Sequence, residues 1–275
     1  MKNVAIIGCG YVGTSLALFW KKKNYNITAT VSQVKQSKTL SKIIPKTIIA
    51  KGTDKSIIEK LIAENDIILL TVSTSFSQNF ENTFLRTAQT LRQAALQSKQ
   101  SKTLIYTSNC IVYGEHKGQW VDEKSPLHPI TEQSKILIET EKTLLSLQEK
   151  KWKVCVFRLG EIYGPNREIS KTVKQLDQQV LPGKGNQYTN MVHRDDVIAS
   201  VDYSLSYHLE GVYNIVDDDH PTKAELYDEI SNRLFLPKIT WDPTLTKIDH
   251  GNQRVSNHKI KASGYTFLHP HREWK

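Results

Sequence analysis

The sequence predicts an α/β protein built on a doubly wound parallel sheet, followed by a smaller C-terminal region. Short runs rich in β-branched residues alternate with amphipathic helical patterns along the first two thirds of the 275 residues. Such alternation requires crossover connections, which are right-handed and place helices on both faces of a parallel sheet. The last third contains shorter elements and several prolines, so a smaller region of different character is expected there.

The predicted elements follow one another in a regular order. Each strand is a short apolar run, and each helix shows apolar residues at three- and four-residue spacing. Strands are predicted at residues 3–7, 26–31, 47–50, 66–72, 103–107, 153–158 and 211–216. Helices are predicted at residues 14–23, 55–63, 83–98, 131–147, 195–206 and 223–235. A Gly-Pro break at residues 163–165 divides a first domain (residues 1–165, completed by 195–216) from a smaller region at residues 166–275.

The charge balance narrows the choice of partners. The chain carries 37 lysines and arginines against 28 acidic residues, a formal net charge of +9. The lysines are scattered, and only Lys21, Lys22 and Lys23 form a run, so we expect no nucleic-acid partner. An anionic small ligand accounts for the surplus equally well.

Apolar runs and cysteines indicate the compartment. No apolar run reaches the roughly 18 residues that a membrane span needs, and residues 1–7 have a strand pattern instead of a targeting pattern. Cys9, Cys110 and Cys155 are widely spaced inside apolar strands or turns, which is typical of reduced, buried thiols. The sequence therefore predicts a cytoplasmic protein with no membrane partner and no bound metal.

The strongest local pattern is a glycine-rich turn between the first strand and the first helix. Gly8 permits the tight turn, Gly10 lets a pyrophosphate approach the backbone, and Gly13 lets the helix pack closely on the strand. The N–H groups at the start of the helix then attract phosphate. This Rossmann-type turn predicts a bound nicotinamide dinucleotide. The cofactor-binding candidates in the turn and at the end of the fourth strand are Gly8, Gly10, Tyr11, Val12, Gly13, Thr71 and Val72.

The end of the second strand indicates which dinucleotide binds. An NAD site usually places a carboxylate there, about 20 residues after the turn, to bond the ribose hydroxyls. Residues 30–35 contain no carboxylate, whereas Thr30, Ser32 and Lys35 offer two hydroxyls and a cation to a 2′-phosphate. The sequence therefore favours NADP over NAD, with the alternative that Lys35 is an ordinary solvated lysine.

Several further segments match one known family in the same order. They contain a Val-Tyr-Gly turn, a Ser-Lys pair followed by a glutamate, a Tyr-Gly-Pro loop, a Val-His-Arg-Asp-Asp-Val stretch and an Arg-Val-Ser-Asn motif. These segments occupy residues 107–114, 134–139, 158–165, 190–197 and 254–257, with a late strand at 213–215. The sequence therefore resembles the extended, and more closely the atypical extended, short-chain dehydrogenase/reductase family, the group of NAD-dependent epimerases/dehydratases and nucleoside-diphosphate-sugar epimerases.

The resemblance implies a catalytic tyrosine, a lysine four residues later on the same helix face, and a serine or threonine at the end of the fifth strand. In that family the lysine lowers the pKa of the tyrosine from about 10, so the phenol exchanges a proton with the substrate while the nicotinamide transfers a hydride. Lys135 is retained and, with Ser108, joins the cofactor-binding candidates. Thr131 stands where the tyrosine is expected, and Asn109 stands at the serine or threonine position.

Two other residues are candidates for the missing proton transfer, because a threonine hydroxyl is too weak an acid. Tyr113 closes the turn after the fifth strand, although a packed aromatic is the favoured interpretation. Glu161 follows the sixth strand, at the carboxyl edge where ligands bind, and replaces an amide that is common in the family. The catalytic candidates are Lys135, Asn109, Thr131, Tyr113 and Glu161.

Two functions are compatible with the sequence. The first is an NADP-preferring oxidoreductase or epimerase acting on the hydroxyl or carbonyl of a small molecule, such as a nucleotide sugar, bound by residues 166–275. The second is a non-catalytic dinucleotide-binding sensor or regulatory module, which the missing tyrosine favours. The resemblance also implies a homodimer formed through the helices at residues 83–98 and 131–147.

Overall fold

The computed structural model describes residues 2–73, 80–176, 179–245 and 251–272. Its strands are β1 (Asn3–Ile7), β2 (Asn26–Val31), β3 (Lys46–Ile49), β4 (Ile67–Leu70), β5 (Thr103–Asn109), β6 (Trp120–Val121), β7 (Lys153–Leu159), β8 (Glu161–Tyr163), β9 (Val180–Pro182), β10 (Met191–His193), β11 (Gly211–Ile215), β12 (Thr240–Asp242) and β13 (Arg254–Val255). Its α-helices are α1 (Tyr11–Lys22), α2 (Val34–Leu40), α3 (Lys55–Glu64), α4 (Thr87–Gln97), α5 (Glu132–Leu145), α6 (Ile169–Gln175), α7 (Arg194–Ser206), α8 (Lys223–Arg233) and α9 (His258–Ala262).

Strand β1 lies inside a seven-stranded sheet with the order β3-β2-β1-β4-β5-β7-β11. Val4 of β1 lies beside Ile27 on one side and Ile67 on the other, both in parallel register. Because the chain moves outward from β1 to β3 and then returns to β4, right-handed crossovers place α1 and α3 on opposite faces. The predicted doubly wound parallel α/β fold is confirmed.

The strand order reverses between β1 and β4, which positions the ligand crevice. In open α/β sheets, ligands bind outside the carboxyl ends of the strands that flank this reversal. The glycine turn follows the carboxyl end of β1, and Thr71 and Val72 follow the carboxyl end of β4. The fold therefore brings both sets of cofactor-binding candidates to the same end of the sheet.

The chain divides into two compact units. The first contains Met1–Ser108, Lys135–Arg158 and Ile198–Val212, and the second contains Asn109–Ser134, Leu159–Val197 and Tyr213–Lys275. The second unit has two-stranded pairs, β8 with β10, β9 with β12 and β6 with β13. Its core is formed by Tyr163, Ile169, Val173, Met191, Leu226 and Ile230. The sequence-based domain limits, residues 1–165 with 195–216 and residues 166–275, stay a prediction.

Two further features concern the cysteines and the length and polarity of the helices. Cys9, Cys110 and Cys155 all lie in the described ranges, where they are buried and form no disulfide. Burial raises the pKa of the Cys9 thiol to about 11, so this side chain is neutral at pH 7. Within the described ranges, every helix is too short or too polar to cross a membrane.

Candidate functional site

Two glycines of the turn after β1 are confined by the protein itself. Gly8 has a φ of +82°, and a Cβ added there would lie 2.7 Å from the Cα atom of Val72. A Cβ at Gly13 would lie 3.0 Å from Cγ2 of Thr71 and 3.1 Å from Cγ2 of Ile6. Glycine is therefore needed at both positions to bring α1 and the segment after β4 close to β1.

Gly10 differs from these glycines because the space beside it is open. Among the described residues, an added Cβ would have only Oγ of Ser73 within 4 Å, at 3.9 Å. Its φ of −93° lies outside the left-handed region, and packing among these residues does not require glycine. A pyrophosphate lying against the backbone fits this open space, because a side chain at position 10 would occupy it.

The N-terminus of α1 suits an anion. Residues 11–14, in the first turn of the helix, include no acidic side chain that would repel an anion. Gly10 is the N-cap residue, and its carbonyl oxygen accepts a hydrogen bond from the N–H group of Thr14 at 2.9 Å. Tyr11 and Val12 therefore lie at the positive end of the helix dipole, next to the open space at Gly10. The residues present fit the phosphates of a dinucleotide.

The three candidates for contact with a 2′-phosphate have different environments. Thr30 is buried, and its hydroxyl accepts a hydrogen bond from the N–H group of Gly8 at 3.1 Å. Its carbonyl oxygen accepts a second from the N–H group of Cys9 at 2.7 Å. Ser32 and Lys35 are exposed where β2 leads into α2. Thr30 thus supports the turn, whereas Ser32 and Lys35 are accessible to a ligand.

A buried ionic network lies at the end of β5 in the same unit. The hydroxyl of Ser108 donates a hydrogen bond to Oε1 of Glu141 at 2.5 Å. Oε2 of Glu141 accepts hydrogen bonds from Nη2 and Nε of Arg158, at 2.7 and 3.1 Å. The side chains of Glu141 and Arg158 are only 3% and 6% exposed, so this network ties α5 to β5 and β7.

Sequence reasoning missed Glu141 as a member of the site. Four residues before it, Leu137 belongs to the buried face of α5. A carboxylate on the apolar face of a helix is the signal that could have identified Glu141, because a buried charge needs a partner. Its partner Arg158 is the first residue of the segment 158–165 that carries the family resemblance.

Thr131 caps α5 instead of forming part of it. Its hydroxyl oxygen accepts a hydrogen bond from the N–H group of Ser134 at 3.1 Å, and Oγ of Ser134 accepts one from the N–H group of Thr131 at 3.2 Å. This reciprocal pattern is typical of a helix N-terminus, and it moves the predicted helix start from residue 131 to Glu132. Lys135 lies one turn later, with its side chain exposed.

Asn109 and Tyr113 are both engaged by hydrogen bonds within the second unit. Oδ1 of Asn109 accepts a hydrogen bond from the N–H group of Ile111 at 2.9 Å and caps a short 3₁₀ turn. Tyr113 is fully buried, and its phenol donates a hydrogen bond to Oδ1 of Asn214 at 2.7 Å. The environment of Tyr113 is that of a packed core residue.

Glu161 is the exposed acidic candidate of the second unit. Burial, together with the charge of Glu161, raises the pKa of Tyr227 to about 12. Burial also raises the pKa of Tyr163, whose ring meets His193 edge-on at a centroid distance of 5.2 Å. Both phenols are therefore neutral at pH 7, and Glu161 is a carboxylate whose charge acts on Tyr227.

One cluster in the second unit has residues that bind metals elsewhere. His193, Asp195 and His269 bring one potential ligand atom each within 4.8 Å of one another. The N–H group of Asp195, however, donates a hydrogen bond to Nδ1 of His193 at 3.2 Å, and Arg194 pairs with Oδ1 of Asp195 at 3.0 Å. The cluster also lies at the positive end of α7. These features oppose a cation, so the residues fit a metal poorly.

The candidates are divided between the two units. All of the cofactor-binding candidates, including Ser108 and Lys135, belong to the first unit. The other catalytic candidates belong to the second unit, and they are Asn109, Thr131, Tyr113 and Glu161. The first unit therefore contains a complete candidate dinucleotide site by itself.

Comparison with known proteins identifies related sequences. The sequence profile of the NAD dependent epimerase/dehydratase family matches residues 4–215. Protein YeeZ from Escherichia coli strain K12 is 27% identical over 246 residues, which cover 86% of this chain and 85% of that protein.

Solved structures share the fold over nearly the whole chain. A dTDP-glucose 4,6-dehydratase from Bacillus anthracis, solved with NAD, has a TM-score of 0.82 at 20% identity and covers 98% of this chain and 92% of its own. A UDP-glucose 4-epimerase from Thermotoga maritima, solved with UDP-glucose, has a TM-score of 0.80 at 17% identity, with 97% and 94% covered. A conserved protein of unknown function from Silicibacter pomeroyi has a TM-score of 0.79 at 22% identity, with 98% and 95% covered. Identities this low show a common fold.

Proposed function

The chain belongs to the NAD dependent epimerase/dehydratase family, and from this premise we propose that it is an NADP(H)-preferring oxidoreductase or epimerase. Its substrate would carry a reacting hydroxyl or carbonyl on a sugar linked to a nucleotide. Two of the structural neighbours are named for dTDP-glucose and UDP-glucose, which supports this substrate class.

The glycine turn is the observation that carries the proposal. An open space at Gly10 lies beside the positive end of the α1 dipole, and both features fit a pyrophosphate. In this proposal Thr30 supports the turn, Ser32 and Lys35 hold the 2′-phosphate, and Lys135 bonds the ribose hydroxyls. The dinucleotide, when bound, supplies hydride transfer.

Replacing Gly10 tests the cofactor site without disturbing the fold. Gly10→Val should reduce affinity for NADPH at least about tenfold, because its side chain would occupy the place of the pyrophosphate. The free energy of unfolding should fall by only about 1 kcal/mol, because Gly10 is the N-cap residue, where valine is disfavoured, and an added Cβ meets no described neighbour closely. Calorimetric titration and urea unfolding measure the two effects. Equal affinity in the variant and the parent would contradict the proposed cofactor site.

Proton transfer in the proposed enzyme cannot use a tyrosine at position 131. The hydroxyl of Thr131 is engaged in the cap of α5, and no plausible environment brings the pKa of an alcohol near neutrality. The amide of Asn109 is engaged in a local cap as well. We therefore propose Glu161 as the proton acceptor in the second unit. Its carboxylate is exposed, and its charge contributes to the raised pKa of Tyr227.

A non-catalytic sensor of the dinucleotide is the second candidate function. Thr131 and Asn109 occupy the two positions at which the family resemblance implies reacting hydroxyls. The observation that favours a sensor is that both side chains form hydrogen bonds to nearby backbone N–H groups. In this case the first unit still binds the dinucleotide, and no proton acceptor is required.

Turnover measurements separate the two functions. We expect little conversion of UDP-glucose or dTDP-glucose by the parent, and increased conversion after Thr131→Tyr combined with Asn109→Ser. The control is Thr131→Ala, because loss of the cap alone costs about 1 kcal/mol of stability. Loss of the residual conversion in Glu161→Gln would support the enzymatic function. A parent that binds NADPH but neither binds nor converts the two sugar nucleotides would support the sensor function. Rapid conversion by the parent would contradict the loss of tyrosine chemistry.

A further inference from the structure

The net charge of the chain is concentrated in one part of the sequence. Residues 1–60 contain eleven lysines, no arginine and two acidic residues, which gives this segment a charge of +9. The whole chain has the same net charge of +9, so the remaining residues contain equal numbers of basic and acidic side chains. The excess charge therefore belongs to residues 1–60, which extend from β1 into α3 and include the glycine turn.

Four of these lysines lie at the carboxyl edge of the sheet. Lys35 and Lys38 belong to α2, which begins shortly after the end of β2, and Lys51 is the second residue after β3. Lys55 is the first residue of α3. The strands are parallel, so this edge is also the one at which the glycine turn follows β1. All four side chains, which we call the carboxyl-edge lysines, are exposed on the unit that holds the turn.

Negative charge compensates the carboxyl-edge lysines only in part. Asp54 lies between Lys51 and Lys55, and its Oδ2 accepts a hydrogen bond from the backbone N–H group of Lys51 at 2.7 Å. Among the described residues, the ammonium groups of Lys35, Lys38 and Lys51 form no ion pair, and Lys55 has a pair with Glu59 at 3.7 Å. Both members of that pair are about half exposed, and such surface pairs contribute little. The exposed ammonium groups therefore produce a positive potential in the solvent at this edge.

We propose that the carboxyl-edge lysines steer the anionic dinucleotide to the glycine turn and raise its association rate constant. This inference rests on the proposed dinucleotide binding. Fields of this kind raise association rates by about 10- to 1,000-fold, depending on charge and salt. The Debye length is about 8 Å at 0.15 M ionic strength, so lysines near the turn act more strongly than lysines at the opposite edge.

A pair of triple variants tests the location of the steering charge. Lys38→Gln, Lys51→Gln and Lys55→Gln together remove three charges from the carboxyl edge and leave Lys35, the proposed phosphate contact, in place. The matched control combines Lys99→Gln, Lys150→Gln and Lys153→Gln, which removes three exposed charges near the amino ends of β5 and β7. Stopped-flow binding of NADPH and NADH gives the association and dissociation rate constants of each protein.

The expected result is a change in association alone. At low ionic strength the carboxyl-edge variant should bind NADPH about fivefold more slowly than the parent, with a dissociation rate constant within about twofold. The difference should shrink in 0.5 M salt and be smaller for NADH, because the 2′-phosphate adds about −1.5 to −2 charges. The control variant should bind NADPH nearly as fast as the parent.

Three outcomes would overturn the inference. Equal slowing in the two variants would assign the effect to total charge, and a change confined to dissociation would assign these lysines to the bound state. Unchanged association in the carboxyl-edge variant would remove the steering role while leaving the proposed function intact. If the parent chain does not bind NADPH, the proposed function fails together with the inference.

Discussion

Gly8 and Gly10 lie two residues apart, and they require glycine for different physical reasons. At Gly8 the backbone is left-handed and an added Cβ would meet Val72 at 2.7 Å, so the protein itself demands glycine. At Gly10 the backbone has a negative φ, and the described surroundings are open. We therefore expect substitution at Gly8 to act on stability and substitution at Gly10 to act on the proposed ligand.

Ser32 is the residue at which cofactor preference can be tested. Ser32→Asp places a carboxylate at an exposed position after β2, where it would repel a 2′-phosphate and bond the ribose diol. The ratio of NADPH to NADH affinity should fall at least about tenfold, a difference of about 1.4 kcal/mol. Calorimetric titration measures the ratio, with Gln33→Asp as a control for added charge. A parent that prefers NADH would contradict the proposal. Thr30→Asp is unsuitable because Thr30 is buried against the turn.

At the scale of elements, α5 carries two glutamates with opposite environments. Glu139 is about half exposed and pairs with Lys142 at 2.8 Å on the surface of the helix. Glu141, two residues later, is buried and bonds both Ser108 and Arg158. The helix therefore packs onto β5 and β7 through a buried carboxylate whose hydrogen bonds to Ser108 and Arg158 replace its hydration in the unfolded chain.

This difference predicts unequal costs for two identical substitutions. Glu141→Gln should lower the free energy of unfolding by about 3–5 kcal/mol, because it leaves the buried guanidinium of Arg158 without its counter-ion. Glu139→Gln, the control on the same helix, should cost at most about 1 kcal/mol. Urea unfolding measures both. Similar values for the two variants would show that the buried pair does not hold α5 in place.

At the scale of the whole chain, the C-terminal segment is bound to the second unit by buried ionic and polar contacts. Nε of Arg272 donates a hydrogen bond to Oδ2 of Asp217 at 2.8 Å, and both side chains have no exposed surface. Nη1 of Arg272 donates another to the hydroxyl of Thr189 at 2.6 Å. Earlier in the segment, Tyr265 donates a hydrogen bond to Oδ1 of buried Asp196 at 2.9 Å. Residues 265–272 are therefore an integral part of this unit.

Arg272 tests the contribution of this segment. Arg272→Met should lower the free energy of unfolding by about 3–5 kcal/mol, because the carboxylate of Asp217 would then be buried without a counter-ion. The matched control is Arg233→Met, whose partner Glu229 lies 2.7 Å away on the exposed surface of α8, and it should cost at most about 1 kcal/mol. Thermal or urea unfolding compares the two. A stability for Arg272→Met equal to that of the control would show that the segment is dispensable.

The local features of the fold could be predicted from the sequence. The predicted strands at residues 3–7 and 26–31 have the same limits as β1 and β2, and the turn between β1 and α1 has the geometry expected of its glycines. Apolar periodicity and the φ angles open to glycine are properties of adjacent residues, so they are legible without knowledge of distant partners. The doubly wound order then follows from the handedness of crossovers.

Features that depend on distant residues could not be predicted in this way. Helix α2 was not predicted because its segment has no apolar stripe. Strands β6 and β13 were not predicted because each is two residues long and is defined by its pairing with the other. The cap formed by Thr131 was placed inside the helix because boundaries depend on hydrogen bonds, not on periodicity.

The sequence by itself determined the strand-turn-helix unit on which the proposed dinucleotide site is based. Every residue of this unit lies in β1, in α1 or in the short turn between them. The tertiary structure decided which charges act together. It buried Glu141 against Arg158 and Asp217 against Arg272, although a sequence pattern treats each as a solvated side chain. It also gathered lysines that look scattered in the sequence at one edge of the sheet, because parallel strands bring all their carboxyl ends to the same side.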